Sequence, residues 1–241
     1  MNVYLDNNII VDVESRGLSI VNLTMKGIQY YYSSAHIEEL IEGENVGVNV
    51  QQRLSTIDKI SSSNCIDGLC KPVFCKIGPY KLYAQCKQPN PFYIKKLLNN
   101  CVSNFDVDRD KFTGLLDWRK DEVSNIDSCD ILNKLNAKMY GKLDISLPDY
   151  IQITGAIGRS LYITLFNILD FVCFHKDKRG DHVNIARLYD ASHAYYASIC
   201  DIFVSRDKRM RYKTKAVYHY LNVDTKVMDL NEYFNFVTNK Q

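Results

Sequence analysis

The chain has 241 residues, enough for one large domain or two small ones and for a substantial buried core. Apolar residues make up 46% and charged residues 24%, an ordinary globular balance without repeats or low-complexity tracts. The net charge of +2 excludes a global polycation, so any binding of nucleic acid has to come from a local basic patch.

The first predicted element is a short buried strand, Val3-Tyr4-Leu5, running into Asp6. Ile28 to Tyr32 is rich in aromatic strand formers, and the Tyr30–Tyr32 run reads as strand packing rather than a stacking platform. A helix from Ala35 to Glu42 follows, capped by Ser33 or Ser34 and ended by Gly43. Residues 48–60 read as helix. Between 61 and 91, Gly68, Pro72, Gly78 and Pro79 mark turns, and Val73–Ile77 with Lys81–Gln85 predicts a hairpin across Gly78-Pro79. Helical patterns at 92–104, 108–118 and 128–140 complete what reads as a mostly helical insertion or cap from about 45 to 145. Pro148 suits the first turn of a long helix reaching Cys173. Its apolar part, Leu161–Phe174, is too short to span a bilayer and is interrupted by Asn167 and Asp170, so it reads as a core helix. After a charged loop at 175–181 with Lys176, Lys178 and Arg179, a helix from His182 to Ser198 leads to the strand Ile202-Phe203-Val204. A helix from Lys208 to Leu221, a strand at Lys226–Met228 and a helix at Asn231–Thr238 close the chain.

Eight cysteines would suit a disulfide framework in a small secreted chain. The opening MNVYLDNNII has no basic region, apolar core or small-residue cleavage site, so reduced thiols, a cytoplasmic location and no membrane partner are expected. Cys65, Cys70, Cys75 and Cys86 lack the close pairing of a zinc knuckle.

Function in an open α/β sheet gathers outside the carboxyl ends of the strands. Asp6 and Asp207 follow two predicted strands from opposite ends of the sequence, and Glu39 (or its neighbour Glu38), Asp190 and Asp201 stand in related positions. Each has an ordinary structural reading beside the functional one. Asp6-Asn7-Asn8 is turn chemistry, Asp207 can cap the next helix, and surface helices are full of glutamate. Clustered carboxylates favour a hard divalent cation that keeps several waters, which suits phosphodiester hydrolysis by an activated water.

Three segments carry a resemblance. DASHAYYASICDIFVSRDKRMRYK (Asp190–Lys213), VYLDNNII (Val3–Ile10) and SSAHIEELIEG (Ser33–Gly43) resemble, in order, the closing, opening and second motifs of PIN-domain (VapC-type) nucleases. The resemblance covers about half the chain and leaves 45–145 without a counterpart. It implies a three-layer α/β/α sandwich with a central mostly parallel sheet, one PIN-like domain over 1–241 carrying the helical insertion. Matched position by position, Asp6, Glu39, Asp190 and Asp207 would be catalytic metal ligands for Mg²⁺ or Mn²⁺, with Asp201 a further ligand. Ser205 would position a ligand or phosphate. Arg206, Lys208, Arg209 and Arg211, in a basic run continuing to Lys213 and Lys215, would hold a phosphate backbone. The implied activity is endonucleolytic hydrolysis of RNA, single-stranded or structured, with DNA a second substrate and an inhibitory or regulatory protein as a further partner. Roles of this kind include a toxin of a toxin–antitoxin pair and a defence effector. The alternative is a catalytically inactive PIN-like module that binds nucleic acid or protein.

Two further residues stand open. Asp190, His193, Ala194 and Ala197 share one helical face, with His193 either organising the site or packed under the sheet. Trp118, beside Arg119 and Lys120, is either a base-stacking residue or core.

Overall fold

The computed structural model describes residues 1–15, 17–18, 27–88, 112, 114–176 and 181–239. The chain divides into two compact units, residues 1–91 with 193–211 and 224–241, and residues 92–192 with 212–223.

The first unit holds the sheet. Its strands are β1 (Asn2–Leu5), β2 (Gln29–Ser33), β3 (Asn64–Asp67), β4 (Val73–Lys76), β5 (Ile202–Val204) and β6 (Lys226–Met228), in the order β4-β3-β2-β1-β5-β6. All neighbours pair parallel except β3 with the edge strand β4. This is an α/β fold with a mostly parallel sheet. The helices are α1 (Asn7–Ser15), α2 (Ser34–Glu44), α3 (Val50–Ser61), α4 (Pro79–Cys86) and α11 (Leu230–Thr238).

Side chains alternate along each strand. Val3, Leu5, Tyr30, Tyr32, Cys65, Ile202 and Val204 therefore share one face, where they meet Ile37 and Leu40 of α2, Leu54 and Ile57 of α3 and Tyr233 of α11. Each fully buried aliphatic side chain contributes about 1.5–3 kcal/mol. Tyr4 and Phe203 point to the opposite face and are equally buried, their rings 5.8 Å apart. With both faces covered, β1 and β5 read as unbroken apolar runs, which is why they were legible.

The second unit is helical among its described residues: α5 (Lys120–Ser124), α6 (Ile131–Leu143), α7 (Leu147–Thr154), α8 (Arg159–Phe171), most of α9 (Asp181–Ala197) and most of α10 (Lys208–Tyr220). No described helix is long and apolar enough to cross a membrane.

Several expectations are corrected. Residues 45–91 belong with the sheet, because β3 pairs with β2 and brings α3 and α4 with it, so the division falls elsewhere than 45–145. The hairpin across Gly78-Pro79 does not form. Pro79 instead occupies the first turn of α4, where its missing N–H costs nothing, and β4 pairs with β3. The turn joining those strands uses Gly68 at φ 108°, where an added Cβ would sit 2.3 Å from the Lys71 carbonyl oxygen. The long helix after Pro148 is two helices, split at Gly155 and Gly158, both with positive φ. Gly43 lies inside α2, which ends at the Asn45 cap. The pattern at 92–104 and the loop residues Lys178 and Arg179 lie outside the described residues.

Candidate functional site

β1 sits mid-sheet, with β2 and β3 on one side and β5 and β6 on the other. The gap between the carboxyl ends of β1 and β5 is therefore the topological switch point, where open α/β sheets bind ligands. Register decides what stands there. Leu5 lies opposite Val204, so Asp6 and Ser205 are the next pair in line. The Asp6 amide donates to the Val204 carbonyl at 2.9 Å, and the Ser205 hydroxyl donates to Asp6 Oδ2 at 2.7 Å.

Asp6 is 4% exposed. Its Oδ1 accepts from the Asn7 amide at 2.8 Å, and its Oδ2 also accepts from Asn8 Nδ2, which lies 3.1 Å from Ser205 Oγ. Burial pushes the Asp6 carboxyl up to about 6; the nearby Glu39 pushes the same way, while His193, the Ser205 hydroxyl and the Asn7 amide oppose it. Asn8 is a site residue that the sequence reading left as turn chemistry. Its side chain ties Asp6 and Ser205 together, and its Oδ1 accepts from the Arg206 amide at 3.1 Å.

Glu39 arrives on α2. Ser33 caps that helix, with His36 completing a reciprocal capping box through Nδ1, which accepts from the Ser33 amide at 3.2 Å. That bond leaves the His36 proton on Nε2, where it donates to the Leu5 carbonyl at 2.9 Å. Burial first, then His193, holds the His36 value well below the ordinary range, so the ring is neutral. One turn on from His36, Glu39 Oε2 lies 3.1 Å from His193 Nε2, and the same nitrogen is 4.0 Å from Asp6 Oδ1. Glu39 is thus the helix acid that shares His193 with Asp6.

Behind His193 stands Tyr4. Its hydroxyl is 2.6 Å from Ser33 Oγ and 2.8 Å from His193 Nδ1, and burial raises its pKa well above the ordinary value. The hydroxyls and rings form one continuous chain from Ser33 through Tyr4 and His193 to Glu39. His193 is 1% exposed, packed as the core reading expected, and its two ring nitrogens reach Tyr4 and Glu39. The spacing of His36 and Glu39, three apart on a helix, was the available signal for the network. Tyr4 gave none, because a strand tyrosine reads as core.

The remaining predicted residues separate. The Asp207 amide donates to Ser205 Oγ at 3.1 Å, and its Oδ1 accepts from the amides of Arg209 at 2.7 Å and Met210 at 3.1 Å, so it caps α10 beside Ser205. Asp201 does not belong to the set. It precedes β5, at the amino end of the strand, and its carboxylate accepts from the Asn2 amide at 2.7 Å. A three-residue strand of ~10 Å separates it from Ser205. Asp190 lies half-buried on α9 in the second unit. Arg206 and Arg211 are engaged within the chain. Arg206 Nη1 reaches both Asp12 oxygens at 2.6 and 2.8 Å, and Arg211 Nη1 donates to the carbonyls of Ser205 at 2.8 Å and Arg206 at 2.9 Å. Both clamp the loop after β5. Lys208 and Arg209 are exposed at the start of α10.

Among the described residues no group of three or more His, Cys, Asp or Glu side chains is arranged to hold a metal ion. Cys65 and Cys75 face each other across β3 and β4, and burial raises both thiols, which disfavours the thiolates zinc needs. Asp6 and Glu39 do fit a harder ion. Mg²⁺ commonly takes one or two carboxylates, keeps its waters and completes its shell with substrate phosphate oxygens. A buried carboxyl whose charge is disfavoured by burial and by a second acid is the group a cation relieves. Comparison with protein-family models, curated proteins and solved structures gave no match.

Proposed function

We propose that this chain is a metal-dependent endoribonuclease on a PIN-like, three-layer α/β/α frame. The observation that carries the reading is the placement of Asp6, buried and raised to about 6, at the switch point with Glu39 beside it. Asp6 and Glu39 would hold Mg²⁺ or Mn²⁺. When bound, such an ion supplies an activated water and neutralises charge on the phosphate. The chain's own residues do the rest. Ser205 and Asn8 fix the Oδ2 edge of Asp6, His193 holds Glu39 in place, and Asp207 fixes the first turn of α10. Lys208 and Arg209 on that turn face solvent and would receive the phosphate backbone.

A second reading is a PIN-like binding module without catalysis, consistent with the absence among the described residues of a group of three or more metal-ligating side chains. Cleavage separates the two. Labelled single-stranded RNA and DNA are incubated with wild type and Asp6→Asn in Mg²⁺, Mn²⁺ or EDTA. The nuclease reading predicts cleavage of RNA that EDTA stops and Asp6→Asn loses. Equal cleavage by both proteins would overturn it, and RNA retention without cleavage would favour the binding module.

A further inference from the structure

The second unit contains a feature that the proposed nuclease site does not use. A groove of about 480 Å³ runs along the outer face of α6. Trp118 and Ile126 line its apolar floor, and Lys134, Lys138 and Lys142 line its rim together with Ala137 and Gly141. The stripe of α6 buried through Ile131, Leu132, Leu135 and Met139 adjoins the lysine row, with Lys134 and Lys142 exposed and Lys138 half-buried.

Three properties of this groove point the same way. The lysines recur every four residues, one above another on the helix. They set three positive charges in a row over ~12 Å, a spread that suits an extended polyanion better than a single phosphate. Among the described residues no acid lines the groove. Asp117 touches the row from its end, through a 3.7 Å contact with Lys142 and its carbonyl 3.4 Å from Lys138 Nζ. That exposed pair is weak and yields to a competing anion. Between the cations the helix is pared down: at Gly141 an added Cβ would meet nothing within 4 Å. Glycine inside a helix is unfavourable, and here its missing side chain keeps the groove open. Trp118, 7% exposed, lines that space.

We propose that this groove binds single-stranded nucleic acid, with a base seated against Trp118 and successive phosphates on Lys134, Lys138 and Lys142. Charge complementarity argues for the polyanion, and the aromatic floor argues for bases rather than an acidic peptide. The proposal goes beyond the cleavage reading and does not depend on it.

Trp118 is the chain's only tryptophan, so its fluorescence reports the groove alone. The full-length protein is titrated with oligouridylate in EDTA, where no metal-dependent cleavage occurs. Saturable quenching is expected, with a log–log salt slope of about −2 for three phosphate contacts to a single strand. Lys134→Gln should lower that slope by about 0.7. Gly141→Leu, which favours the helix and fills the groove, should weaken binding at least tenfold with the fold retained by circular dichroism. Uridine monophosphate and polyglutamate should each bind at least tenfold more weakly than the oligomer. The proposal is overturned if Gly141→Leu quenches like wild type, if polyglutamate matches the RNA, or if RNA binds by anisotropy without quenching Trp118. Loss of cleavage activity with quenching intact would count against the nuclease reading and leave the groove standing.

Discussion

Asp6→Asn is expected to make the protein more stable at pH 7 and no more stable at pH 4. Burial moves the Asp6 carboxyl from an ordinary 3.8 to about 6. A group whose folded value is raised holds its proton more tightly in the native protein than in the unfolded chain. Its favourable contribution is complete below about 3.8 and lost as pH rises through about 6. At pH 7 the native protein therefore carries an ionised Asp6 at a cost of about 3 kcal/mol, taking ~1.4 kcal/mol per decade. Asparagine removes that charge but recovers only part of the difference. The carboxylate oxygens accept from Asn7, Asn8 and Ser205, and an amide NH₂ can accept from none of them. A net gain of about 1 kcal/mol or more is expected at pH 7. Thermal melts between pH 4 and 7.5 read it as a difference in Tm that closes as the pH falls. A variant that is more stable and inactive would place Asp6 among residues kept for chemistry at the expense of stability. A Tm difference independent of pH would show that Asp6 titrates normally and is not strained by its burial.

Asp170→Ala should be among the most damaging single substitutions in the second unit. Asp170 is fully buried on α8, and its two oxygens meet Arg187 Nη1 at 3.0 Å and Lys213 Nζ at 3.3 Å. Both cations are themselves buried, at 2% exposure. Removing the carboxylate leaves two desolvated positive charges facing each other, and breaking such a pair costs about 3–5 kcal/mol. Lys213→Met is the contrasting variant. It keeps the Arg187–Asp170 pair, with Asn167 Oδ1 still 3.1 Å from Arg187 Nε, and replaces an ammonium by a side chain that packs. Its effect should be under about 1 kcal/mol or stabilising. Urea unfolding followed by Trp118 fluorescence separates the two variants. Equal losses would mean that the carboxylate balances neither cation.

The same residues show where the sequence could be read and where it could not. Asp6 and Glu39 were legible because their signals are local: a strand that ends in an acid, and a helix with a serine cap six residues before the glutamate. Asp201 and Asp207 looked alike, since each flanks the same strand. Only the parallel pairing of β5 with β1 decides that the carboxyl end, with Asp207, lies beside Asp6 while Asp201 lies at the far end. Lys213 read as part of a basic run and Asp170 as an interruption of an apolar helix. They are partners 43 residues apart, and nothing local announces such a pair. Arg206 repeats the lesson, since Asp12, which engages it, lies 194 positions away. The hairpin at Gly78-Pro79 failed for another reason. Proline after glycine serves a turn and a helix start equally well, and pairing of β4 with β3 decided between them. Tyr4 was invisible as a site residue because it acts through His193 from inside the sheet, whereas the His36–Glu39 spacing was a signal the reading left unused.

The most direct test of the account is a Mn²⁺ titration by calorimetry on wild type, Asp6→Asn and Asp201→Asn. All three differ by at most one charge, and the two variants place that change at opposite ends of the same central strands. The account predicts saturable binding by wild type and Asp201→Asn, lost in Asp6→Asn. Binding that survives in Asp6→Asn, or that disappears only in Asp201→Asn, would contradict a cation site at the carboxyl ends of β1 and β5.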